Sequence, residues 1–202
     1  MILLTEDPIE PRGVALAGRV EVVMPPSIQT RHAGVVNLLH PTPEMIDIGD
    51  IAAALSVVPR FAGHVGAYSV AEHSVHVMRL AGPDIAREAL LHDASEAYLG
   101  DVSSPLKALL PDYQFLERRF QAVIATRYGL SEDPAVWARV KDADLRMLRA
   151  EAEYFGLMTN APHWDWVRTN IEPSPEWRPW NPAPQGYVRY TFLAEFVRCF
   201  QP

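Results

Sequence analysis

The segment Ala89-Leu-Leu-His-Asp-Ala-Ser-Glu-Ala-Tyr-Leu99 decides how this chain is read. Leu90, Leu91, Ala94, Ala97, Tyr98 and Leu99 spread apolar groups around almost the whole circumference of a helix, which marks it as buried and central. Yet His92, Asp93 and Glu96 sit in its middle. A buried carboxylate without a partner costs several kcal/mol or gives up its charge. Glu96 follows Asp93 by three residues and His92 by four, so helical spacing turns all three toward one side. Imidazole and carboxylate suit a first-row divalent ion, and a cation also offsets the two negative charges. A buried His–Asp hydrogen-bonded pair accounts for the same residues, and within this segment the two readings stand level.

Working outward, Ser69-x-x-Glu72 reads as a capping box that opens the preceding helix. Pro83 at a first helical position starts a helix predicted over Asp84–Leu99, with Gly100 just past its end. Ser104-Pro105 opens a short helical turn to Leu110, Asp112–Tyr128 is stopped by Gly129, and Asp133-Pro134 caps a helix to about Phe155. Upstream, Ile46, Ile48, Ile51, Ala52 and Leu55 predict a helix that ends near Pro59. Residues 1–40 read as strand and turn, with Arg19–Val23 and Gly34–Leu39 as a hairpin. A Pro/Trp-rich stretch, 160–184, reads as an ordered loop, and an amphipathic helix follows over 185–200 with Tyr187, Phe192, Phe196 and Phe200. The expected architecture is therefore mainly α and a single domain. It has an N-terminal β decoration (1–40), a helical core (44–157), and a loop with a C-terminal helix (160–202).

Composition excludes several classes. The 202 residues carry 18 Lys and Arg against 25 Asp and Glu, a formal charge of −7, which steers nothing toward a nucleic-acid polymer or an anionic membrane. The single cysteine, Cys199, rules out thiolate zinc and iron–sulfur sites and fits a reducing compartment. The N-terminal sequence lacks a basic n-region, and no apolar run reaches the 18 or so residues that span a bilayer. The expectation is a cytoplasmic protein. The motifs GxxxxGK[ST], GxGxxG and GxSxG are all missing.

Two further helices point toward the central one. His73 falls on the apolar stripe Val70, Val77, Leu80 and faces inward, on a helix joined antiparallel to the next across Gly82-Pro83. In the helix from 134, Asp142 has Arg139 and Arg146 at i−3 and i+4, a solvated ion-pair face. Asp144 instead has Val140, Met147 and Leu148 around it, a core stripe that Glu151 continues. Asp144 is the aspartate carried inward, as a fourth metal ligand would be.

The ordered blocks Glu72-His-Ser74, His92-Asp-Ala-Ser-Glu96, Gly100-Asp-Val-Ser-Ser-Pro-Leu-Lys107 and Lys141-Asp-Ala-Asp144 resemble the HD-domain phosphohydrolases. The branch they resemble includes the 5′-deoxynucleotidases and related phage and bacterial nucleotide hydrolases. The resemblance covers about residues 44–157 and implies an HD-domain helical bundle. It implies one divalent ion (Mn, Co, Zn, Fe or Mg) held by His73, His92, Asp93 and Asp144. It places Glu96 and Asp101 beside the attacking water and the leaving group. Arg60 and Lys107 would meet the substrate phosphate, Phe61 would face the sugar, and His64 would touch substrate. The implied activity is hydrolysis of deoxynucleoside 5′-monophosphates. Triphosphate release from dNTPs, or a silent metal- or nucleotide-binding module, are the alternatives, and the implied assembly is a homo-oligomer.

Overall fold

The computed structural model describes residues 26–158, 162–174, 177–180 and 183–200. Strands β1 (Ser27–Gln29) and β2 (Val35–Asn37) pair antiparallel, with Ile28 opposite Val36. The described hairpin joins 27–29 to 35–37, and the expected strand over 19–23 lies outside the described residues. The helices are α1 (Ile48–Leu55), α2 (Val70–Ala81), α3 (Ala86–Leu90), α4 (Glu96–Leu99) and α5 (Ser104–Lys107). They are followed by α6 (Pro111–Tyr128), α7 (Pro134–Tyr154), α8 (Asp165–Asn170) and α9 (Gln185–Phe200).

Local chemistry explains most of the boundaries. The Asp47 side chain accepts from the backbone N–H groups of Gly49 and Asp50 and starts α1. Asp133 caps α7 by accepting from Ala135, with Pro134 at the first helical position. Gly129 closes α6 in the left-handed conformation, φ 61°, ψ 43°, that a side chain would penalise. Ser69 caps α2 by accepting from the Glu72 N–H at 3.3 Å. The reciprocal half of the expected capping box is not made. The Glu72 carboxylate accepts instead from the Trp180 N–H at 2.6 Å, tying the 177–180 segment to α2.

Helix α2 lies at the centre, against α3, α7 and α9, while α1 packs on α4 and α9. Val70, Ala71, Val75 and Val77 of α2 are fully buried, together with Ile51, Leu90, Leu91, Phe120 and Phe192. Burial of this kind stabilises by about 25 cal/mol per Å² of apolar surface. The short helix α8 occupies part of the stretch expected to be loop.

The expected helix over Asp84–Leu99 is broken in two, and the break falls on the residues that carry the chemistry. The His92 Nδ1–H donates to the Ala89 carbonyl at 2.9 Å. A continuous helix would have given that carbonyl to the N–H of Asp93. From there the N–H groups of Ala94, Glu96, Ala97 and Tyr98 donate three residues back. The tighter winding eclipses positions i and i+3, which is how Glu96 comes beside Asp93.

Candidate metal centre

Four of the expected residues converge. His73 is fully buried on α2, while His92 and Asp93 come from the turn between α3 and α4. Their ligating atoms lie within 4.8 Å of one another. Asp144 comes from α7, with Oδ1 at 3.2 Å from His73 Nε2 and 3.8 Å from His92 Nε2. Asp93 Oδ2 stands 3.1 Å from His92 Nε2 and 3.7 Å from His73 Nε2. Ligands at about 2.1 Å from a common ion are separated by roughly 3 to 3.5 Å, so these spacings suit a single divalent cation.

The nitrogens are aimed for that task. Both Nε2 atoms are buried and have no hydrogen-bond partner. Each imidazole is anchored through its other nitrogen. His92 Nδ1 is held by the Ala89 carbonyl, and His73 Nδ1 lies 2.5 Å from Glu151 Oε1. A carbonyl or a carboxylate accepts, so a proton is fixed on Nδ1 and Nε2 is the nitrogen left to face the centre. An orphaned buried nitrogen is costly, and two facing two carboxylates fit an ion-binding role.

Electrostatics agree with the geometry. Burial opposes the charged form of His92, but Asp93 and Asp144 outweigh it and raise its pKa to about 10. Burial likewise opposes the Asp93 and Asp144 carboxylates, and the facing imidazoles hold both well below the usual range. The metal-free centre is thus a knot of imidazolium and carboxylate in which a cation would replace the His92 proton.

Glu151 is the supporting residue, and its part exceeds what its place on the Asp144 stripe suggested. It is fully buried and accepts from Tyr68 Oη at 2.7 Å, and from Arg60 Nε and Nη2 at 3.0 and 2.9 Å. Burial works against its ionised form, but Arg60 and His73 lower its pKa overall. Arg60, expected to grip substrate phosphate, is buried, with those N–H groups spent on Glu151. Its Nη1 lies 3.8 Å from Asp93 Oδ2. The following residues, Phe61 and Ala62, take positive φ values of 54° and 51°. Two successive non-glycine residues there cost about 1–3 kcal/mol each. They are held between the Arg60 N–H on the Tyr68 carbonyl and the Val70 N–H on the Val58 carbonyl. The Phe61 ring packs edge-on to Phe155, 6.4 Å between centroids, and His64 is exposed beyond it.

Glu96 is buried, with Oε2 lacking a partner, and burial, Asp93 and Asp101 push its pKa up to about 10. Asp101 is raised as well, chiefly by burial. Lys107 Nζ is 2.5 Å from Glu117 Oε1. A cavity of about 330 Å³ opens from His92, Asp93 and Asp144, and Lys107, Glu117, Arg118, Gln121, Trp137 and Lys141 line its other walls. Arg118, Gln121 and Trp137 carry no motif in the sequence, and only the helix-face spacing on α6 and α7 sets them here. A second cluster, His32, Asp47 and Asp50, also brings ligand-type atoms together. Its carboxylates are already occupied. Asp50 accepts from the N–H groups of Arg31, His32 and Ala33, and Asp47 from Gly49 and Asp50.

No family model matches the chain. It is 50% identical over 113 residues to the uncharacterized protein YfdR of Escherichia coli, a match over 55% of this chain and 62% of YfdR. The chain thus spans less than two thirds of YfdR. It is 44% identical over 131 residues to the uncharacterized protein RCAP_rcc00048 of Rhodobacter capsulatus, across 58% of this chain and 67% of that protein. At that identity and coverage, the chain belongs to the same protein family as RCAP_rcc00048.

Proposed function

We propose that this chain is an HD-domain, divalent-metal-dependent phosphohydrolase that cleaves the 5′-phosphoester of nucleoside monophosphates, deoxynucleotides foremost. The observation that carries the reading is the pair of buried, unpartnered Nε2 atoms of His73 and His92, facing the carboxylates of Asp93 and Asp144. A bound divalent ion supplies Lewis acidity to a phosphoryl oxygen and lowers the pKa of water. Glu151 fixes the orientation of His73, and the Ala89 carbonyl that of His92. Glu96, its pKa pushed up to about 10 in the metal-free centre, holds a protonated carboxyl beside Asp93, able to give its proton to the departing ester oxygen, and Asp101, also raised, shares its surroundings.

Charge balance supports the monophosphate. Lys107, Arg118 and Lys141 in the cavity wall match Asp93, Glu117 and Asp144. A divalent ion leaves a surplus of two positive charges, which a phosphomonoester of about −1.5 to −2 balances. A triphosphate carries more charge than that surplus offsets.

The test is a panel of ribo- and deoxynucleoside mono- and triphosphates with Mn²⁺, Co²⁺ and Mg²⁺, with products separated by anion exchange. Release of inorganic phosphate from monophosphates, lost in His73→Ala and His92→Ala, is the expected outcome. Triphosphate as the product would replace the substrate assignment. Metal binding without turnover of any nucleotide would reduce the protein to a binding module.

A further inference from the structure

The three cations of the cavity differ in what already holds them. Lys107 is paired with Glu117, and Arg118 is exposed and forms no ion pair among the described residues. Lys141 is the unusual one. Its Nζ lies 2.6 Å from Asp144 Oδ2, while Asp144 Oδ1 faces the two imidazoles. One carboxylate is therefore shared between the candidate metal centre and a lysine of the anion pocket. The Asp144 side chain is 14% exposed and that of Lys141 is 65% exposed. The carboxylate end of the pair is sheltered and the lysine end is open to water, so the ammonium on its four-carbon stem can swing away once the Asp144 charge is engaged elsewhere.

A metal ion and Lys141 compete for the same negative charge. Resting on the metal-dependent reading above, we propose that Lys141 is a positioning residue that couples the metal centre to the phosphate pocket. Without a metal ion, Lys141 stays on Asp144 and the cavity holds anions poorly. Once the Asp144 charge is engaged by an ion, Lys141 is released into the cavity, where it and Arg118 meet the oxygens of a phosphate group. The coupling is reciprocal: an anion that draws Lys141 away from Asp144 strengthens metal binding by the same factor. This orders binding without any movement of the backbone.

The test is titration calorimetry on the full chain, with Mn²⁺ and methylphosphonate, a phosphate-like anion that cannot be hydrolysed. In the wild type, Mn²⁺ tightens methylphosphonate binding. Lys141→Met is expected to weaken the metal-loaded affinity about tenfold or more, the loss of one charge-assisted hydrogen bond, and to leave the metal-free affinity unchanged. It should also bind Mn²⁺ more tightly than the wild type, since the competing cation is gone. Lys141→Arg should retain the coupling, and Arg118→Met should weaken anion binding equally with and without Mn²⁺. Lys141 is exposed, so these variants should fold, and thermal melting checks that they do. A Lys141→Met protein in which anion affinity falls equally in both states, or in neither, overturns the proposal. Absence of Mn²⁺ binding in the wild type would overturn the metal reading itself. Intact Mn²⁺ binding with unaltered coupling would overturn only the role of Lys141.

Discussion

Replacing Glu151 by glutamine exchanges one carboxylate oxygen for an NH2 group on a side chain that no solvent touches, and it should disturb both stability and metal binding. The carboxylate accepts from Arg60, Tyr68 and His73. Glutamine removes the charge and leaves the buried Arg60 guanidinium without its closest counter-ion, with the Asp93 carboxylate at 3.8 Å the nearest one that remains. Breaking a buried pair in this way costs about 3–5 kcal/mol. At roughly 2–4 °C per kcal/mol for a chain of this size, the melting temperature should fall by about 6–20 °C. The second effect is specific to the site. With the amide oxygen kept by Arg60, the amide nitrogen faces His73 Nδ1 and donates where the carboxylate accepted. The ring must then carry its proton on Nε2, the nitrogen aimed at the metal position. Loss of such an orienting partner typically costs about 10–100-fold in metal affinity. Calorimetric melting and Mn²⁺ titration read the two effects separately. The Arg60→Leu/Glu151→Leu double variant should recover much of the lost stability without recovering metal affinity. A Glu151→Gln protein that loses less than about 1 kcal/mol, or that binds Mn²⁺ as the wild type does, refutes this account of the pair. The pH dependence has a definite sign. The folded pKa of Glu151 is depressed, so its stabilisation is present above the ordinary carboxylate pKa of about 4.3 and is lost as pH falls through the folded value. Glu151→Gln should flatten that acid limb.

Three other outcomes are expected. Mn²⁺ at 100 times its Kd should stabilise the wild type by about 2.7 kcal/mol and release a proton from His92, seen as a buffer-dependent binding enthalpy that vanishes in His92→Ala. Glu96→Gln should lower turnover by about 10²–10⁴-fold with metal affinity retained, and unchanged turnover would remove Glu96 from the chemistry. The folded pKa of Glu96 is raised to about 10, so in the metal-free protein the same variant should gain stability as pH rises from about 4.3 toward that value, and nothing below it. Ser69→Ala should cost about 1 kcal/mol by freeing the Glu72 N–H, measurable in urea unfolding.

Much of this molecule was legible before folding, for a local reason. Ser69, Asp133-Pro134 and Gly129 set helix ends through contacts within a few residues, and the sequence places those boundaries within a residue or two. The apolar stripes that carry His73 and Asp144 inward are likewise properties of single helices, so the candidate ligands could be picked out one helix at a time. None of the described helices is long and apolar enough to cross a membrane.

What sequence periodicity misjudged depends on partners far away along the chain. A helical repeat carries Asp84–Leu99 through without interruption. The break at His92 arises because its imidazole takes the Ala89 carbonyl while its other nitrogen faces Asp93 and Asp144. Glu72 looks like a capping residue until Trp180, 108 positions later, offers an N–H to its carboxylate. The family resemblance offers Arg60 to a phosphate, and only the folded chain brings Glu151, 91 positions away, onto two of its donors. Composition and periodicity determine which groups are brought inside, because transfer from water is a property of each side chain. Which buried donor meets which acceptor is decided only when the helices close, since a hydrogen bond has direction and short range and no residue carries a record of its distant neighbour.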